Sequence, residues 1–437
     1  MSALAQSAAP GYFDGALRAV NFFGGRLLSG RDMADEQAAS AARDAAIASA
    51  AGTGVARGLV VTRARSANGS LLNAVDLSPG TAIAPDGSVL RLAAALRIAL
   101  VPDDSHAPAA PLGPGEFRLC GPKPSGNPTP SVQYGTALQV LLVGPAQALS
   151  AEQAPGVSGE GGAALNRCGA RWRLSGLRFR LATIPGALLG SDAPLFNDSS
   201  TLGRHRARHL AAFAALGGNV VAEALADPLG GLDNPLRAYG LLDAAGVVAD
   251  NEVPLALFGW QPGGLAWLDM WAVRRSLHAP ASAADLLLLG SGRRAAEGEA
   301  FIRQFALQIA ELINAGDVLP AGLQAASVFR YLPPVGVLPL ASSTRRGIDA
   351  DTFFAGLAVS EDDFLDGALL EPLWRGAAML PPINLTSEPA QLIWRFRLRG
   401  DDGNASGALL FGHRHLPLPA ASRENRARFD HDRYPTF

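Results

Sequence analysis

Two histidines four residues apart, His205 and His209, stand in a stretch with helical periodicity. That spacing puts both imidazoles on one helix face, as a metal site needs. A zincin helix would carry glutamate directly after the first histidine. Here Arg206 follows, and Arg204 and Arg208 add positive charge that opposes a cation. The expectation is a solvated basic helix face. His413 and His415 alternate around Arg414 with no cysteine or carboxylate pattern to complete a ligand set, so an exposed strand face is expected there. Gly290-Ser291-Gly292 precedes an expected helix whose N-terminus could hold an anion, but it lacks the lysine and hydroxyl of a P-loop. Gly52 to Gly58 follows a helix and opens a strand, the reverse of a dinucleotide fingerprint. No glycine-x-serine-x-glycine elbow occurs. Glu361-Asp362-Asp363 reads as a helix start or loop, and Asp401-Asp402 as a turn. No catalytic, cofactor or metal residue is therefore assigned, and the chain is not read as an enzyme.

The aromatic residues leave more open. Trp260, Trp267 and Trp271 fall in an expected hairpin and could stack on sugars, or anchor a core or a subunit contact. Trp267, Asp269 and Trp271 alternate with Leu268, Met270 and Ala272. Apolar character on both faces predicts a strand buried on both sides, which favours core or subunit contact over a ligand.

The elements that would position these residues begin with a long alanine-rich helix from Ser29. Ser29 is a good N-cap, Asp32, Asp35 and Glu36 suit the helix dipole, and Gly52 and Gly54 supply the stop. Alanine on most faces lets another backbone approach closely. Residues 55–102 read as a β-meander with turns at Asn68-Gly69, Pro79-Gly80 and Asp86-Gly87. A proline-rich connection spans 102–135. Strands are expected at Ala137 to Val143 and Arg171 to Thr183, a helix at Leu202 to Leu216 after the cap region Ser199-Ser200-Thr201, and a hairpin with strands Pro254 to Trp260 and Leu265 to Val273. Phe301, Phe305, Ile309 and Leu312 mark an amphipathic helix over Ser291 to Ala315. Ala390 to Arg399 and Gly407 to His415 form a terminal hairpin. The fold class expected is α+β and β-rich. An N-terminal arm and helix (1–54) lead into a β-meander or sandwich shell domain (55–190). A mixed α/β domain with the Trp-rich hairpin (191–422) and a charged tail (423–437) follow.

Composition narrows the class. The chain has 437 residues, 48% hydrophobic and 17% charged, which is globular. A formal net charge of −2 gives no ground for nucleic-acid affinity. Two cysteines, Cys120 and Cys168, make neither a disulfide framework nor a zinc knuckle. Met1 to Pro10 has neither the basic nor the apolar region of a secretory signal, and no run reaches transmembrane length. Cytoplasmic synthesis is expected, with any release as part of a particle or after lysis.

The order Asn21, Phe22, Phe23, Gly25, Leu27, Leu28, Asp32, Met33, Glu36, Gln37 resembles the N-terminal signature of bacterial proteins that accompany contractile injection systems and phage-tail-like particles. The similarity continues in Gly58 to Val61, in Pro79 to Gly87, in Leu268 to Arg275 and in Phe329 to Gly336. The resemblance implies a structural subunit: baseplate-associated, tail-fibre-like or a tube-end adaptor. Its partners would be baseplate, sheath or tube proteins. By analogy it would be a homo-oligomer such as a trimer; the motifs, net charge and run lengths above lead us to expect no cofactor, no nucleic acid and no membrane insertion. Residues expected at interfaces are Phe22, Phe23, Leu27, Leu28, Trp267, Trp271, Arg274, Arg275, Phe329 and Tyr331. Alternatives are a glycan- or receptor-binding fibre head, a hydrolase of surface polymer, and a type VI secretion baseplate subunit.

Overall fold

The computed structural model describes residues 19–25, 27–102, 131–135, 137–153, 169–189, 200–216, 239, 242, 245–261, 264–278, 292–314, 322–366, 369–378, 380–388, 390–399 and 405–413. Helix α1 is Gly30–Ala51. Ser29 caps it: its hydroxyl accepts from the Asp32 amide while the Asp32 carboxylate accepts from the Ser29 amide, a reciprocal capping box. Gly52, at φ 114°, ends it. Only Ala39 and Ala48 of α1 are buried. The expected close approach of a second backbone occurs at Ala45, where a Cβ on Gly87 would fall 2.0 Å from the Ala45 carbonyl oxygen.

Seven short strands follow: β1 Gly54–Gly58, β2 Val61–Arg65, β3 Leu71–Leu77, β4 Gly80–Ile83, β5 Val89–Leu92, β6 Leu96–Pro102 and β7 Ser131–Tyr134. The expected single meander is corrected here. β1, β4 and β5 form one sheet; β2, β3, β6 and β7 form another, in the order β2-β3-β6-β7. The chain leaves the first sheet at Gly58-Leu59, where both residues have positive φ, 58° and 52°. It returns at Pro79-Gly80, and a Cβ on Gly58 would fall 1.8 Å from the Pro79 carbonyl oxygen. The strand expected over Ser88 to Leu100 breaks between β5 and β6 because its halves belong to different sheets.

Two long strands, β8 Gln139–Gln153 and β9 Gly169–Thr183, are followed by helices α2 Gly186–Leu189 and α3 Thr201–Leu216, then by β10 Val253–Gln261 and β11 Gly264–Asp269. Ser200 starts α3 by accepting the Gly203 amide. The strand order is β11-β10-β8-β9, antiparallel throughout. This sheet crosses the division expected at residue 190, because β10 is the neighbour of β8. Val253, Leu255, Ala256, Leu257 and Phe258 are all fully buried, so β10 is an unbroken apolar run with both faces covered.

The remainder comprises α4 Gly292–Asn314, α5 Ala325–Val328, β12 Tyr331–Leu332, β13 Val335–Pro339, α6 Ala350–Phe353, β14 Val359–Asp366, α7 Leu370–Ala377, β15 Ile383–Asn384, β16 Ile393–Arg399 and β17 Ala405–His413. The main sheet here runs β13-β17-β16-β14, with β14 and β16 parallel. Phe305 of α4 meets Phe329 and Phe411, with ring centroids 5.3 Å apart in each pair, and Phe354 extends the cluster from Phe411 to Phe353. Interlocked aromatic rings of this kind carry much of a core's apolar burial. Glu361-Asp362-Asp363 lies on β14, which corrects the expected helix start or loop. Arg395 and Arg397 of the neighbouring β16 bond Asp362 and hold it in the extended register. The architecture is a β-rich α+β fold with an N-terminal helix. Among the described residues no helix is long and apolar enough to cross a membrane.

Candidate functional site

The regions singled out by resemblance meet in the fold. Residues 53–59 run beside 270–278: the Thr53 and His278 backbones exchange hydrogen bonds, and the Val55 amide donates to the Arg275 carbonyl. Arg274 is buried and donates to the carbonyl oxygens of Leu59, at 2.8 Å, and Gly58, the two residues with positive φ. Burial lowers its pKa to about 10. Arg275 is also buried and donates to the carbonyls of Trp271, Ala272 and Arg274, closing the turn on itself. Both arginines thus satisfy backbone inside the chain. Phe329 is buried too, edge-on to His209 of α3 at 5.4 Å, and Tyr331 is half-buried beside the same ring.

The strand expected to reach Val273 stops at Asp269. That carboxylate accepts the Ala272 amide at 2.9 Å and the chain turns there, with the Arg274 amide on the Met270 carbonyl. Trp267 and Trp271 therefore do not share a strand face. Trp267 is buried against Gly259, where a Cβ would fall 2.2 Å from the indole Cε2. Trp271 is half-buried, with the guanidinium groups of Arg274 and Arg303 at 5.7 and 5.9 Å from its ring centroid. Trp260 stacks on Tyr134 at 4.2 Å, so its ring already has an aromatic partner.

Helix α3 corrects the expected solvated basic face. His205, Arg208 and His209 are all buried. Burial, then the charges of Arg208 and Arg204, lower the His205 pKa to about 3; burial lowers that of His209 to about 4. Both rings are neutral at pH 7. His413 is also buried, correcting its expected exposure, while His415 lies outside the described residues. Among the described residues no group of three histidine, cysteine, aspartate or glutamate side chains stands together as metal ligands. Gly290-Ser291, Asp401-Asp402, Cys120, Cys168 and the tail 423–437 lie outside the described residues.

Sequence reasoning missed the buried polar centre that α3 shares with its neighbours. Arg208 Nε bonds Asp269 Oδ2 at 2.9 Å, and its terminal nitrogens reach Glu311 of α4. Gln304 of α4 donates to the same Asp269 oxygen at 3.2 Å. Burial works against the Arg208 charge, but the two carboxylates outweigh it and raise its pKa above the ordinary arginine value. In front of this centre opens a cleft of about 590 Å³, walled by β2, α3, β11 and its following turn, and α4. The only sequence signal was that His205, Arg208 and His209 lie three and four apart, a spacing that buried and solvated faces share.

The apolar N-terminal arm makes a second candidate site. Phe22, Phe23, Leu28 and Met33 are each at least half exposed and Leu27 is 94% exposed. The Val20 amide bonds Glu36 at 3.3 Å, which ties the start of the arm to α1. These side chains are large, close in sequence and at least half exposed, the kind of surface that marks an interaction site. No protein-family profile matches the chain, and no curated protein matches it.

Proposed function

We propose that this chain is a structural subunit of a contractile injection system or phage-tail-like particle, working through protein–protein interfaces. The observation that carries the proposal is the exposed apolar arm, Phe22, Phe23, Leu27 and Leu28, at the head of a helix that buries only two of its own residues. Four large apolar side chains held in water are costly unless a partner covers them. The same four lie in the stretch that resembles proteins of such particles. The other resembling stretches have work inside the chain, since Arg274, Arg275 and Phe329 are spent on its own backbone and core. In this reading the arm docks on a neighbouring subunit of the baseplate, sheath or tube, and the chain has no catalytic role. Self-association into a trimer belongs to the same reading by analogy.

The test is co-purification from the source cell, with sheath, tube and baseplate proteins identified by mass spectrometry. The wild-type chain should recover them as a defined assembly. A variant with Phe22, Phe23, Leu27 and Leu28 all changed to Ser should lose them while keeping its circular dichroism and its cooperative unfolding. Equal recovery by both chains would remove the arm from assembly. A wild-type chain that recovers none of these proteins would overturn the reading.

A further inference from the structure

We propose that the cleft between β2, α3 and the turn after β11 binds a small molecule carrying a carboxylate or phosphate group on an apolar or sugar body. The inference goes beyond the assembly reading and does not rest on it. Three arginines line the cleft: Arg63 of β2, and Arg204 and Arg208 of α3. Arg208 is answered by Asp269 and Glu311. Arg63 and Arg204 form no ion pair among the described residues, so the cleft carries positive charge that the chain leaves unmatched.

Two buried polar atoms point to the same conclusion. Arg63 Nε and His205 Nδ1 are both shut off from water without a hydrogen-bond partner. Buried polar groups are normally bonded, so two unbonded atoms on residues that line one cleft call for explanation. An arginine Nε can only donate, and what satisfies it must be an acceptor oxygen. His205 is buried and lines the same cleft, and its neutral ring can turn its proton toward that acceptor. An anion meets both needs once the two side chains turn toward the cleft, and the positive charge of Arg63 and Arg204 opposes a metal cation. The rest of the lining is mostly apolar and aromatic, including Leu268, Met270 and Trp271, with Thr62 and the Arg208-paired Glu311 as its polar members. A volume of about 590 Å³ lies within the roughly 300–1,000 Å³ of ligand pockets, which suits a molecule with a body and not a bare ion.

The experiment uses the full chain and three probes: inorganic phosphate, glucuronate and glucose, each titrated calorimetrically and by tryptophan fluorescence. Glucuronate should bind saturably and change the emission, and glucose should not. Phosphate should bind more weakly, since it reaches the arginines without the apolar wall. Arg63→Gln and Arg204→Gln should each weaken glucuronate binding about tenfold or more, as expected for losing a charge-assisted hydrogen bond. Arg375→Gln, on an exposed pair with Glu371 that does not line the cleft, should leave it unchanged. Trp271→Phe should reduce the fluorescence response while calorimetry still shows binding. Failure of both acids to bind the wild-type chain overturns the proposal, as does undiminished binding in Arg63→Gln. Glucose binding as tightly as glucuronate also overturns it. None of these results depends on whether the chain assembles into a particle, so the two readings fail separately.

Discussion

Arg208 of α3 and Asp269 at the end of β11 meet inside the chain with Nε and Oδ2 2.9 Å apart, both side chains buried. The pair joins the β11-β10-β8-β9 sheet to α3, and Gln304 and Glu311 bring α4 onto it from the other core. Asp269 also fixes the turn that carries Trp271 and Arg274, so one carboxylate holds three elements. Arg208→Met should therefore cost about 3–5 kcal/mol, the usual loss when one partner of a buried pair is left charged and alone. The double variant Arg208→Met, Asp269→Asn should recover part of that, because it removes the stranded charge. Urea unfolding of the four chains in a double-mutant cycle measures the coupling. Additive single effects would show that the pair contributes no coupling of its own.

What could be read from the sequence follows from range. Ser29, Asp32 and Gly52 act within one turn of their own backbone, so the bounds of α1 were legible, as were the hairpin turns at Asn68-Gly69 and Asp86-Gly87. The terminal hairpin and the amphipathic face of α4 were legible for the same reason. The split of residues 55–102 into two sheets was not, because it depends on Arg274, more than two hundred residues away, holding the Gly58 and Leu59 carbonyls. The burial of His205, Arg208 and His209 was hidden likewise. A charge repeat on a helix reads as solvated unless its partners, here Asp269 and Glu311, are known to face it.

The two histidines of α3 predict a pH dependence with a definite sign. Each has a folded-state pKa below the unfolded value of 6.5, about 3 for His205 and about 4 for His209. Below pH 6.5 the unfolded chain takes up protons that the folded chain refuses, so stability falls as pH falls. Glu252, buried before β10 and bonded by Arg180 of β9, adds a second loss in more acid solution. Burial alone would raise its pKa, but hydrogen bonds from Arg180 and the Ala249 amide outweigh it and hold the carboxyl below its ordinary 4.5. Its contribution is present above that value and is lost as pH falls through the folded pKa. Between about pH 6 and 5 the histidines act without it. His209→Gln keeps an acceptor for the Arg330 amide and removes one titrating group, so the slope of unfolding free energy against pH should shrink by up to about 1.4 kcal/mol per pH unit. An unchanged slope in urea titrations over that window would show that His209 is already protonated in the fold.

Helix α1 approaches the body tightly at Gly87 against Ala45. Gly87 has φ +84°, and its absent Cβ is where the Ala45 carbonyl lies. Gly87→Ala should push α1 away, at a cost of about 1–3 kcal/mol from backbone strain before the clash is counted. Trypsin reads this directly, since Arg43 lies on the exposed helix. Cleavage there should accelerate in Gly87→Ala while unfolding of the rest stays cooperative. Ser29→Ala removes the capping box instead and should cost about 1 kcal/mol, fraying the first turn near Arg31. If both variants are cut at the wild-type rate, neither contact limits the opening of α1.

Arg274 sets the hardest constraint on the N-terminal half, and its replacement separates charge from shape. Leu59 is a fully buried, non-glycine residue at φ 52°, a conformation that costs free energy unless neighbours over-determine it. The guanidinium meets the Leu59 and Gly58 carbonyls with two separate nitrogens, a fork that a single ammonium nitrogen does not reproduce. Arg274→Lys should keep the charge yet lose most of the effect, and Arg274→Met should cost about 1.5–3 kcal/mol, the range for hydrogen bonds to a charged group. The loss should appear first where β1 gives way to β2. Amide exchange at Leu59 and Val61 should rise by more than at Leu257 in β10, which is paired with β8 and β11 and accepts nothing from the Arg274 guanidinium. Equal increases at all three positions would instead make Arg274 a general contributor to stability, and the Gly58-Leu59 link would then be held by its packing against Pro79 and Gly80 alone.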